Sequence, residues 1–174
     1  LSFWFVETAP VQWFQVSPAF DDKVKDRFLD LFHFAEQGFC DDWALSADGA
    51  LALAILFDQF PRNMFRDTPR AYTTDALALK VAEQAIGYGF DQLFVPQKRR
   101  FLYLPFEHSE NMDHQNRSVA LFATLKDDDP LSYDYALRRR KVMDTFGRFP
   151  HRNAILGRVS TDDEIAYLQE QGAT

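Results

Sequence analysis

Ser46-Ala47-Asp48-Gly49-Ala50-Leu51-Ala52-Leu53-Ala54-Ile55-Leu56-Phe57-Asp58-Gln59-Phe60-Pro61 is the stretch whose reading decides the fold. Ser46 is a helix N-cap residue type, and the unbroken apolar run from Ala50 to Phe57 carries no polar face. That pattern predicts a helix through about Gln59, apolar on every side and therefore central. Pro61 is expected to close it, because its ring clashes with the preceding turn and biases Phe60 away from helical dihedrals. The run falls far short of the roughly 18 to 20 apolar residues that a membrane-spanning helix needs.

Outward from this centre the same periodicity recurs. Towards the N-terminus, Val24, Phe28, Leu31, Phe32 and Ala35 fall at helical spacing, predicting a helix over 21–37 with Gly38 as its cap. Phe3-Trp4-Phe5-Val6 is too short and uniform for a period, so an apolar plug and a short helix end both fit. Towards the C-terminus, Thr68 and Pro69 read as N-cap and first turn of a long helix ending near Gly87 and Gly89. Pro96 and Pro105 bracket a shorter helix, a further one is expected over about 106–125, and Asp129-Pro130 opens another that Gly147 ends. Thr161-Asp162-Asp163-Glu164 is a capping box ahead of Ile165, Tyr167 and Leu168. The expected architecture is all-α: about seven helices in antiparallel pairs, forming a single domain over residues 1–174.

Composition agrees. Eighteen Leu and 19 Ala against 9 Val and 4 Ile favour helix over strand, and 18 Phe with 3 Trp predict an aromatic core. Apolar residues at 47% and charged residues at 26% are a globular balance. Nineteen basic against 26 acidic residues leave a net charge of −7, which argues against nucleic acid as a partner. A lone Cys40, with no visible signal-peptide segment, points to a reducing, cytoplasmic setting without membrane attachment. The chain begins at Leu1 rather than Met, so a few native residues are expected to precede it.

Two segments echo one another: Phe60-Pro61-Arg62-Asn63 and Phe149-Pro150-His151-Arg152-Asn153, each following a helix. With Asp58-Gln59, Thr74-Asp75-Ala76-Leu77-Ala78-Leu79, Phe101-Leu102-Tyr103-Leu104-Pro105-Phe106, His108-Ser109-Glu110 and Gly147-Arg148, they make the chain resemble the bacterial domain-of-unknown-function family 924 over nearly its whole length. The resemblance implies an all-helical, tetratricopeptide-like fold. It assigns no activity, so the chemistry rests on the residues.

Guanidinium forks beside amide and imidazole donors suit a carboxylate or phosphate. Arg62, Asn63 and Arg66 at one corner and Arg152, Asn153 and Arg158 at the other, with Arg117, are the candidate ligand-binding residues, expected to share one anion pocket with the His108 to Glu110 segment. The competing reading pairs Arg62 with Asp58, and Arg152 and Arg158 with acids such as Glu164. His108 and His151 are candidate proton carriers, with Glu110 orienting an imidazole, for hydrolysis or elimination on an anionic compound. Glu107, Glu110 and His114 fall at helical spacing, but hard-metal sites need more oxygen donors and zinc sites better-defined spacing, so neither metal nor cofactor is expected. Asp58 and Asp75, on apolar helices, each predict a nearby arginine. Arg138-Arg139-Arg140-Lys141 spreads around a helix and reads as a solvated face. The expected partner is a small anionic molecule; the alternative is a peptide or protein held by a non-catalytic helical scaffold.

Overall fold

Ser46 opens the central helix by accepting a hydrogen bond from the Gly49 N–H (3.3 Å). A side chain at Gly49 would put its Cβ 2.2 Å from the Trp43 carbonyl oxygen, so glycine lets the preceding connector lie on the helix start. The structure is a computed structural model and describes residues 1–172. This helix, α2, runs Ala47–Met64, and Pro61 lies inside it rather than closing it. The physical reason is local. Proline has no N–H to offer the Phe57 carbonyl four residues back, and the Thr74 hydroxyl donates to that carbonyl instead (2.7 Å). Phe60 is meanwhile held in the helix by rings from other segments, with Phe28 at 4.7 Å and Trp4 at 5.4 Å.

Before it, α1 spans Pro18–Glu36, starting three residues earlier than expected because Ser17 caps it ahead of Pro18. It ends in a Schellman motif. Gly38, at φ +88°, donates to Ala35 O (2.9 Å), and Phe39 N donates to Phe34 O (3.3 Å). After α2, the helix expected from Thr68 is broken. A 3-10 turn, Pro69–Tyr72, precedes α3, Asp75–Gly87, because the Thr73 hydroxyl bonds back to the Arg70 carbonyl (3.1 Å) and offers the chain a turn in place of a helix. Next comes α4, Pro96–Glu107, which passes through Pro105. The helix expected over 106–125 is therefore shorter: Asn111 caps α5, Met112–Ala123, by accepting from Asp113 N and His114 N. Asp129 and Gly147 bound α6, Pro130–Phe146. Thr161 and Glu164 form the expected capping box of α7, Asp162–Gly172, each backbone N–H bonded to the other's side chain.

Among the described residues the fold is all-α, with seven α-helices, short helical turns and no strand. The chain divides into two compact units, Leu1–Arg66 with Arg70–Pro105, and Asp67–Pro69 with Phe106–Thr174. In the first, α1 and α3 both pack on α2. Phe3 and Trp4 of the N-terminal stretch form a buried apolar plug in a π-helical turn, within a ring cluster that includes Trp13, Phe20 and Phe101. In the second unit, α5 packs on α6, and the turn Pro150–Arg152 packs on α7. Phe106, Phe122, Leu125, Ala136, Met143 and Phe149 are buried there. No helix among the described residues is long and apolar enough to cross a membrane.

Candidate functional site

In the first unit, the Phe60-Pro61-Arg62-Asn63 corner is the last turn of α2. Arg62 Nη1 lies 3.3 Å from Asp58 and 2.9 Å from Asp75, and Nη2 reaches the second Asp75 oxygen at 3.1 Å. Both aspartates thus have the arginine expected of them. Asn63 and Arg66 converge on Asp21 at the start of α1, at 2.6 to 2.8 Å. Burial pushes the Asp21 carboxyl up, but the Arg66 and Asn63 hydrogen bonds and the Arg66 charge outweigh it and hold Asp21 below its usual range. These donors tie α1, α2 and α3 together.

The Phe149-Pro150-His151-Arg152-Asn153 corner, in the second unit, follows α6. Arg158 grips Glu110 with both terminal nitrogens (2.6 and 2.9 Å), and the Phe149 N–H adds a third bond to Glu110 (2.8 Å). Burial pushes Glu110 up, yet the hydrogen bonds from Arg158 and Phe149 and the charges of Arg158 and Arg152 bring its pKa down. Both Glu110 oxygens are so engaged by Arg158 and the Phe149 N–H. Arg148 holds Glu164 in the same bidentate way (2.7 and 2.8 Å), and Asn153 donates to Glu164 at 3.2 Å and to Ser160 at 3.0 Å. The Arg148 bonds, with the Thr161 N–H, hold Glu164 down at about 2. Glu164 therefore has Arg148 as its guanidinium partner, and Arg158 has Glu110.

Phe149 itself is fully buried, and two guanidinium groups lie over its ring: Arg152 at 4.8 Å and Arg139 at 5.3 Å. His151 sits tilted against the same ring (5.7 Å). By surface area, however, His151 is exposed. Desolvation of its imidazole, followed by the positive charges of Arg139, Arg152 and His108, pushes it down to about 3. At neutral pH it is an uncharged donor and acceptor beside two cations.

The remaining candidates sit elsewhere in this unit. Arg117 is exposed and lies 5.6 Å over the Phe106 ring. His114 bonds Ser109 (2.8 Å). Glu107 ends α4, Glu110 lies in the following loop and His114 is in α5, so their helical spacing does not put them on one face. No group of three or more His, Cys, Asp or Glu among the described residues is arranged to hold a metal ion. The basic run disperses: Arg138 lies over Tyr135, Arg139 over Phe149, and Arg140 bonds Asn116. Arg139 is the site residue that sequence reasoning missed. Nothing in the order of residues signals that an arginine ten positions before Phe149 returns to its ring.

All-helical architecture and paired Phe-Pro corners define a class that sequence comparison makes specific. Residues 1–172 match the family described as bacterial protein of unknown function (DUF924), and the chain belongs to that family. A solved structure, that of the protein of unknown function ATU0120 from Agrobacterium tumefaciens, is similar at 42% identity with a TM-score of 0.90, covering 94% of this chain and 92% of that one. Comparison with curated proteins gives no match.

Proposed function

We propose that this is a cytoplasmic protein that binds a small anion, a phosphate or carboxylate compound, at the Phe149 corner of the second unit. The supporting observation is a neutral His151 flanked by Arg139 and Arg152 on one buried ring. The two guanidinium groups supply charge and forked donors, and His151 adds a hydrogen bond without the cost of a third cation. An imidazole held down to about 3 is a weak base at neutral pH, so the corner is equipped for binding rather than proton transfer. Glu110, Arg158 and Phe149 N–H fix the loop that carries the site. Arg62, Asn63 and Arg66 hold carboxylates of their own unit and are assigned to helix packing. Tetratricopeptide-like stacking of α1, α2 and α3 is the framework this reading adopts for the first unit.

Thermal shift tests it. Inorganic phosphate or citrate should raise the melting temperature, a ligand at 100 times its Kd adding about 2.7 kcal/mol of stability. Arg139→Gln should abolish the ligand-induced shift; because Glu107, 3.9 Å away, is buried, the unliganded melting temperature should also fall, and the shift is read against each protein's own unliganded value. No response to any phosphate or carboxylate, or an equal response in Arg139→Gln, would sink the assignment.

A further inference from the structure

The first unit carries a second feature, independent of the anion site. The connector between α1 and α2 turns Phe39, Trp43 and Leu45 outwards, and Phe34, on the last turn of α1, is 50% exposed. Phe34 and Phe39 stack at 4.7 Å, with Phe39 63% exposed. Their stacking is the apolar contact that accompanies the Schellman motif at Gly38, which fixes the pair without hiding its outer face. Gly38, Asp41 and Ala44 of the same connector face a cleft of about 430 Å³ whose far wall is Leu77, Lys80 and Gln84 of α3. Patch and cleft thus share the connector between α1 and α2.

Charge along the connector is mainly acidic. Between Phe28 and Pro61 the sequence contains no lysine or arginine, whereas Glu36 and Asp41 line the cleft and Asp42 sits in the same connector turn as Asp41, Trp43 and Leu45. Arg70 offsets Glu36 by a bidentate pair, and Lys80 is the cation on the cleft wall. Asp41, Asp42 and Asp48 are exposed. An exposed aromatic patch rimmed by carboxylates complements a segment that is apolar on one side and basic on the other, and this complementarity disfavours acidic partners.

We propose that patch and cleft together form a docking site for a basic amphipathic segment of another protein, its apolar side chains lying on Phe34 and Phe39 and a lysine or arginine entering the cleft beside Asp41. The full chain would be titrated into a fluorescently labelled Leu/Lys amphipathic peptide at physiological ionic strength, with the same peptide carrying Glu for Lys as the counter-probe. Saturable binding of the Leu/Lys peptide is expected, and none of the Leu/Glu peptide. Phe39→Ser should weaken it about tenfold with all charges kept, which separates docking from general attraction to an acidic protein. Leu45→Ser, outside the Schellman cap of α1, should also weaken it and serves if Phe39→Ser perturbs α1. Asp41→Asn with Asp42→Asn should weaken binding and flatten its salt dependence. Unchanged binding in Phe39→Ser and Leu45→Ser, equal binding of the Leu/Glu peptide, or a self-association abolished by Phe39→Ser would overturn the proposal, the last by showing that a second copy covers the patch.

Discussion

His151 is the residue whose ionisation reports most directly on its surroundings. Its folded pKa of about 3 lies below the ordinary 6.5, so the unfolded chain binds the extra proton first and stability falls as pH drops from 6.5 towards 3. His151→Gln, which cannot titrate, should remove that portion of the acid sensitivity, seen as a flatter urea midpoint between about pH 6.5 and 4.5. A bound anion acts in the opposite direction, raising the imidazole pKa, so phosphate binding should take up protons in the acid range, as pH falls towards the folded imidazole pKa, and none near neutrality. Calorimetry in two buffers of different ionisation enthalpy measures that uptake. Glu110 makes a separate test. Glu110→Gln leaves Arg158 without its counter-charge and weakens the bond from Phe149 N–H, for an expected loss of about 1–3 kcal/mol by denaturant unfolding. Exposed Asp134→Asn, by contrast, should change stability by about 0.5 kcal/mol or less.

Helix ends are where the elements of this protein were legible, and where they were not. Ser46, Asp129 with Gly147, and Thr161 with Glu164 bound their helices as local chemistry dictates, because each cap is satisfied within a few residues. The corners could be found as repeated wording, but the acids that close them lie far off in sequence: Asp21 is 45 residues from Arg66, and Glu110 is 48 from Arg158. Pro61 hides its helical setting for the same reason. The acceptor it orphans is supplied with a donor from Thr74, across the turn between α2 and α3. This arrangement predicts coupling. Thr74→Val should cost about 1–3 kcal/mol by leaving the buried Phe57 carbonyl unsatisfied. In a Pro61→Ala background, where residue 61 regains an N–H for that carbonyl, the same change should cost markedly less. A double-mutant cycle reads the difference, and additive losses would show that Thr74 is not the compensating donor.

At the scale of the whole molecule, charge is the property to follow. The chain carries a net −7, yet many of its carboxylates are held by arginines: Asp21 by Arg66, Glu36 by Arg70, Glu110 by Arg158 and Glu164 by Arg148. Each of these four carboxyls has its pKa lowered on folding, from ordinary values of 3.8 for Asp21 and 4.5 for the glutamates. A lowered carboxyl contributes stability that is fully present above its unfolded pKa and is lost as pH falls through its folded one. His151, also lowered, acts in the same direction at higher pH. No member of the set opposes the others, so stability should climb monotonically from about pH 2 to about 6.5, steeply below 4.5 and gently above it, and these groups add no further slope beyond. Urea unfolding at about pH 3, 4.5, 6.5 and 8 measures the profile. Arg66→Gln and Arg158→Gln should each flatten its acid limb, because the partner carboxyl then titrates closer to its unfolded value. An acid limb unchanged in both variants would mean that these pairs contribute nothing net to the folded state, as many exposed ion pairs do not.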